Sequence, residues 1–328
     1  MGNMVEVKNL KKYFETPKGV VHAVDDVSLA IEEGKTMGVV GESGCGKSTL
    51  GRTIIRLQNP TEGQVFIDGQ NVTDLKKSEL HQLRRKAQLI FQDPYSSLNP
   101  RMTVEKTLRE ALVMSKRVER SEFSYELERL MDLVGIDRRM RGAYPHELDG
   151  GRRQRVGIAR ALAMSPKFIV CDEPVSALDV SIQAQILNLL KDLQKSENLT
   201  YMFVTHDMSV VRHISDSICV MYLGQVMEIC DAKELFIQPV HPYTQALLSA
   251  IPSVDIDNQP ERIPLAGEVT SPIDPEPRCR FAPRCPYACE ECMQPQKLVE
   301  ILPGHSVACC RAAEFVSGNI ANPTNNPV

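Results

Sequence analysis

From Gly41 to Thr49 the chain reads Gly-Glu-Ser-Gly-Cys-Gly-Lys-Ser-Thr. A glycine, four free positions, then Gly46, Lys47 and a hydroxyl residue is the spacing of a loop that wraps phosphate. Gly41, Gly44 and Gly46 let the backbone bend, so that the N–H groups of the loop, including those of Glu42, Ser43 and Cys45, turn inward on anionic oxygens. Lys47 supplies an ammonium for the outer phosphates. Ser48, followed by Thr49, supplies a hydroxyl for Mg²⁺. Two acids stand elsewhere, in Asp172-Glu173-Pro174. Asp172 suits a metal through its water shell, and Glu173 suits a general base on attacking water. His206 is placed to contact a γ-phosphate, and Gln92 to sense Mg²⁺ or the water. Together these groups fit ATP bound with Mg²⁺ and water attacking its terminal phosphoryl group.

Such residues need elements that bring them to one place. The apolar runs 37–40, 168–171 and 201–205 each end in a polar group from this set. Helical patterns lie between them, including one expected over 48–57 whose start adds positive potential behind the loop. Near-continuous apolar strands alternating with helices indicate a parallel sheet covered on both faces. Ligands of such sheets bind outside the carboxyl ends of the strands, where the loop, the acids and the histidine would meet. Val5-Glu6-Val7 and residues 20–31 read as short strands, with Tyr13 in a polar stretch between. Residues 64–72 read as a hairpin, because Asp68-Gly69 suits a tight primed turn. Residues 93–163 turn helical. Phe123, Leu127, Leu130, Met131 and Val134 share one helix face, and Gly135 is a natural stop.

Composition sets the outer limits. The chain has 328 residues and a net charge of −4, which offers no general attraction for nucleic acid or anionic lipid. No apolar run is long enough to span a membrane, and the first residues lack the pattern of a secretion signal. A cytoplasmic location with reduced thiols is expected. Six of the ten cysteines lie between Cys279 and Cys310, and twelve of the twenty-one prolines between Pro239 and Pro303. A change of character near residue 250 follows. In a reducing compartment the cysteine cluster points to metal, either a [4Fe–4S] cluster or Zn²⁺. Cys289-x-x-Cys292 is one attractive pair. The residues after about Ser317 are expected to form a disordered tail.

The ordered set of residues 41–49, Gln92, Leu148-Asp149-Gly150-Gly151-Arg152, Ile169-Val170-Cys171-Asp172-Glu173, Ser176-Ala177-Leu178-Asp179 and His206 resembles that of ATP-binding cassette (ABC) transporter ATPases. The resemblance covers residues 1 to about 250. It implies an α/β fold, a P-loop NTPase-type cassette with an antiparallel β subdomain and a helical subdomain inserted at about 93–165. Tyr13 would stack on adenine, Gln92 would report nucleotide state to a membrane partner, and Asp179 would lie at a dimer interface. Two cassettes would enclose two ATP molecules, each site pairing one chain's phosphate loop with the other's Leu-Ser-Gly-Gly-Gln segment.

Here that segment carries Asp149 for serine and Arg152 for glutamine. An ionised aspartate cannot donate to a γ-phosphate, and its repulsion at about 4 Å is on the order of 4 kcal/mol at an effective dielectric near 20. Arg152 or Arg153 can offset part of this, while Gly150 and Gly151 still offer N–H groups. A weakened site favours a heterodimer with a second, intact ATPase chain over a homodimer.

Residues 241–252 and the segment beginning Cys279-Arg280-Phe281-Ala282-Pro283-Arg284-Cys285 resemble the end of the oligopeptide, dipeptide and nickel importer subgroup. This resemblance selects Cys279, Cys285, Cys292 and Cys309 as ligands of a [4Fe–4S] cluster, zinc being the alternative. The domains expected are a nucleotide-binding domain over 1–252, a Pro/Cys-rich metal region over 253–316 and a tail over 317–328. The reading is an ATPase subunit, peripheral to the cytoplasmic face of the cell membrane, that energises a di- or oligopeptide importer. Its partners would be two membrane permeases, a second ATPase chain and, indirectly, an extracytoplasmic binding protein, with no nucleic acid. The alternatives are a nickel or other solute importer, a soluble ABC ATPase acting on nucleic acid or ribosomes, and a cysteine-rich redox sensor switched by ATP.

Overall fold

The computed structural model describes residues 2–251, 262–265, 267 and 271–320. In chain order the first half contains β1 (Asn3–Thr16), β2 (Gly19–Glu32), β3 (Thr36–Val40), α1 (Lys47–Ile54), β4 (Glu62–Ile67), β5 (Gln70–Asn71), α2 (Lys77–Lys86), β6 (Ala87–Ile90), α3 (Pro94–Ser97), α4 (Val104–Ser115), α5 (Phe123–Leu133) and α6 (Gly150–Leu162). The second half contains β7 (Phe168–Asp172), α7 (Val180–Glu197), β8 (Thr200–Val204), α8 (Met208–Ile214), β9 (Ser217–Tyr222), β10 (Gln225–Asp231), α9 (Ala232–Ile237), α10 (Pro242–Ser249), β11 (Val299–Leu302), β12 (His305–Val307) and α11 (Ala312–Val316).

Every residue of β3, β7 and β8 is buried. Burial on both faces is why their sequences are apolar throughout instead of alternating. They sit together in an eight-stranded sheet of order β11-β12-β10-β9-β3-β8-β7-β6. The pairs β3–β8, β3–β9, β6–β7 and β7–β8 run parallel. Gly41, Glu173 and Thr205-His206 therefore leave the same edge of the sheet, as the alternation of strands and helices required.

A second, antiparallel sheet has order β2-β1-β4-β5. Here β1 and β2 are fourteen residues each, longer than the sequence indicates. Exposed polar residues on one face and several register shifts hide them from a search for apolar runs. Tyr13 consequently lies within β1 and not in a loop. The turn joining β4 to β5 has Asp68 at φ 52 and Gly69 at φ 72, the left-handed pair of a primed hairpin. In the helical insertion α6 packs on β6, and α4 and α5 pack on α6, with Phe123, Leu127, Leu130, Met131 and Val134 in one buried cluster.

The C-terminal segment is less separate than its composition suggests. β12 pairs with β10 through Glu228–Val307 and Ile229–Ser306, so β11 and β12 extend the main sheet. Residues 252–261, where the domain boundary was expected, lie outside the described residues, as do residues 321–328 of the expected tail.

Candidate active site at the phosphate loop

The loop is shaped by contacts that exclude side chains. Gly46 has φ +102, and a Cβ there would lie 2.0 Å from the Ala23 carbonyl oxygen. Gly41 likewise faces the Met221 carbonyl oxygen, 2.1 Å from where a Cβ would stand. Only glycine meets both demands. The bend delivers the chain into α1, whose N-cap is Gly46, with no side chain among the described residues capping it. The first-turn amides thus stay available to an anion. The Lys47 ammonium is buried in the bend and donates to the carbonyl oxygens of Gly41 and Glu42 at 2.7 and 2.9 Å. Above it opens a cleft of about 710 Å³ lined by the loop, Gln92, Glu173 and His206.

The acids hold distinct positions. Asp172, buried at the end of β7, accepts from the Ser48 hydroxyl at 2.6 Å and pairs with Arg52 at 3.0 Å. The Ser48 hydroxyl and the Asp172 carboxylate are hard oxygen donors of the kind Mg²⁺ takes, and Gln92 lines the same cleft. Glu173 sits one residue on, at φ 47, a conformation that non-glycine residues adopt mainly under constraint. Its N–H donates to Val204 O at 2.9 Å, which turns the carboxylate out of the sheet and into the cleft. There the Gln92 amide donates to it at 2.9 Å, and His206 Nδ1 lies 3.4 Å away.

The remaining expected residues stand apart from the cleft. Cys45 turns its thiol into the core, where burial pushes its pKa up, and only its backbone serves the loop. The ring of Tyr13 stacks on His22 at 4.0 Å, and its hydroxyl bonds Asp25. The cleft lining also includes Val21, Ala23, Leu247, Ser271 and Pro272, which carry no sequence signature. Asp149 is the N-cap of α6, accepting from Arg152 N at 2.7 Å and pairing with the Arg152 guanidinium at 3.4 Å. Arg153 points inward instead, its guanidinium 3.5 Å from the Tyr95 ring centroid. Of the two arginines, Arg152 alone offsets Asp149. Gly150 and Gly151 open α6 behind it. Asp179 is the exposed N-cap of α7.

At the other end of the chain, Cys279, Cys285, Cys292, Cys309 and Cys310 line one small space, so the expected four thiols come together with a fifth, enough for a group held by thiolates. The closest thiols, however, are Cys289, Cys292 and Cys310, with Sγ···Sγ separations of 3.6 to 3.7 Å. Cys289 and Cys310 fell outside the set selected from the sequence, because adjacency in space depends on the turn between them. Burial pushes the Cys285 thiol up to about 11 and that of Cys309 to about 12. Both are protonated at neutral pH without a metal, and metal binding must displace those protons.

Residues 24–176 match the model of the ABC transporter family, and residues 227–292 that of the oligopeptide/dipeptide transporter C-terminal region. YkfD of Bacillus subtilis (strain 168) is 50% identical over 311 residues, covering 93% of this chain and 94% of that protein. The chain belongs to the ABC transporter ATPases. It is also 48% identical to the oligopeptide transport ATP-binding protein AppF of Bacillus subtilis (strain 168), over 93% of this chain and 96% of that one. Among solved structures it resembles a dimeric, post-hydrolysis state of the ATP-binding cassette MJ0796 bound to ADP and Pi. That likeness has a TM-score of 0.64 and 33% identity, and covers 70% of this chain and 99% of that one. The ABC-transporter match contains the phosphate loop, Gln92, Asp149, Asp172 and Glu173. As an ABC ATPase, this chain binds and hydrolyses ATP.

Proposed function

We infer that this ABC ATPase energises an importer of di- and oligopeptides from the cytoplasmic face of the cell membrane. The observation that carries the reading is the joining of two things on one chain. Glu173, held between Gln92 and His206, faces Lys47 and Ser48 across a cleft, and the C-terminal region is of the oligopeptide/dipeptide transporter type. No helix among the described residues is long and apolar enough to cross a membrane. The path for peptide would be supplied by other chains. Those would be two permeases, fed by an extracytoplasmic binding protein.

In the site, the loop amides and Lys47 bind the phosphates and fix the γ-phosphorus. Ser48, Asp172 and Gln92 would hold Mg²⁺, which supplies charge neutralisation to the phosphates. Glu173 takes the proton of the attacking water, and His206 orients Glu173 and the γ-phosphate. The partner cassette covers the nucleotide. Asp149 weakens the site that this chain completes in its partner, which favours a heterodimer with a chain that carries serine there.

The thiol-rich region is a metal staple. Cys279, Cys285, Cys292 and Cys309 would hold a [4Fe–4S] cluster. The separation of the Cys289, Cys292 and Cys310 thiols favours a second reading. Four sulfurs about 2.3 Å from one Zn²⁺ stand about 3.8 Å apart, close to what this trio shows. Purified protein with absorbance near 400 nm and no zinc supports the cluster; zinc by elemental analysis without that absorbance supports the ion. Peptide uptake by cells lacking the chain tests the import reading. Uptake that persists undiminished contradicts it.

A further inference from the structure

Two carboxylates among the described residues line the cleft, those of Glu173 and Glu42. Glu173 has a chemical task there. Glu42, inside the phosphate loop, does not, and an ionised acid beside a polyphosphate opposes its binding. The chain places Arg284 against it from 242 residues away, donating to both Glu42 oxygens at 2.6 and 3.1 Å. The same guanidinium reaches the Tyr222 hydroxyl at 3.4 Å. The side chains are 8% and 25% exposed, so the pair is largely withdrawn from salt and solvent. The Glu42 N–H donates to the Tyr243 hydroxyl at 2.9 Å, fixing its backbone as well. Four residues before Arg284, Arg280 bonds Asp25 and the Leu223 carbonyl oxygen. The next N–H, of Gly224, donates to Cys45 O of the loop at 2.8 Å. Both arginines lie in the one turn bounded by Cys279 and Cys285.

We propose that Arg284 is a positioning residue for ATP: it neutralises Glu42 and pins it aside, making the thiol-rich region one wall of the nucleotide site. The proposal rests on the reading of residues 41–49 as the cradle of the ATP phosphates. The repulsion it removes acts on bound ATP and on the transition state alike. Its loss therefore raises KM and leaves kcat in place.

The experiment measures the Kd for ATP with Mg²⁺ by equilibrium dialysis, and steady-state ATPase, on the full chain. Lys47→Ala tests the cradle itself. If it binds ATP as well as the wild type does, the cradle reading fails and the wall with it. Given a working cradle, Arg284→Gln should raise Kd and KM about tenfold, with kcat within about twofold. Arg284→Lys, which keeps the charge and loses the fork, should fall between. Adding Glu42→Gln to Arg284→Gln should return Kd to within about threefold of wild type, a rescue that damage to the fold would not allow. Unchanged affinity in Arg284→Gln, or a double variant as weak as the single one, overturns the proposal. Should Arg284→Gln fail to fold, Glu42→Gln is compared with the double variant. With Glu42 already neutral, loss of Arg284 should change Kd less than about threefold, and a tenfold gap overturns the proposal.

Discussion

Gly46 shows how narrowly one residue is determined here. Its positive φ and its approach to the Ala23 carbonyl leave no room for a methyl group. Gly46→Ala should therefore lose at least about tenfold in ATP affinity, since the loop must open to relieve the contact. Equilibrium dialysis reads this directly, with circular dichroism to establish that the sheet is retained. At this scale the sequence was legible wherever chemistry imposes a local spacing. The loop, Asp172, Glu173, Gln92 and His206 meet as their types required. What stayed hidden were partners made by folding. Arg284 reaches Glu42 across 242 residues, and no spacing announces such a contact. The stacking of Tyr13 on His22 is another contact that only the pairing of β1 with β2 creates.

Strands and helices carry these residues to one edge, and the junction with the C-terminal segment has its own chemistry. Glu228 on β10 is fully buried and accepts from the N–H groups of Val240 and His241 at 2.8 and 3.0 Å. His305, which opens β12, lies 2.7 Å from the same carboxylate. His241 caps α10 by accepting the Tyr243 N–H on Nδ1 at 3.1 Å, a role that needs the neutral ring. Burial pushes its pKa down from 6.5 to about 4, and Glu228 opposes that only in part. A depressed histidine is neutral when folded and takes up a proton more readily when unfolded. Its contribution is intact above about pH 6.5 and is lost as pH falls toward about 4. The melting temperature should drop across that window. His241→Asn, which keeps a capping oxygen but does not titrate, should flatten the drop. The three buried strands and the primed hairpin were readable because their signals are local. β1 and β2 were cut short because half-exposed strands carry polar residues on one face. The addition of β11 and β12 to the main sheet depends on pairing with β10, which composition does not encode.

At the scale of the molecule, the proposed pairing of two cassettes gives Asp149 its weight. It caps α6, and serine caps equally well, so Asp149→Ser removes charge without removing the cap. Arg152 pairs with Asp149, but both side chains are more than half exposed, so the compensation is partial. The ATPase rate of purified homodimer should rise about tenfold on Asp149→Ser, while the rate when paired with the proposed second chain, one carrying serine there, should change much less. An unchanged homodimer rate removes the argument for a heterodimer.

The account as a whole turns on Glu173 as the group that activates water. Single-turnover hydrolysis of ATP by the assembled complex carrying Glu173→Gln measures it most directly. The predicted result is ATP bound as tightly as in the wild type with the chemical step slowed at least about a hundredfold. Hydrolysis at the wild-type rate with ATP equally well bound would contradict the account.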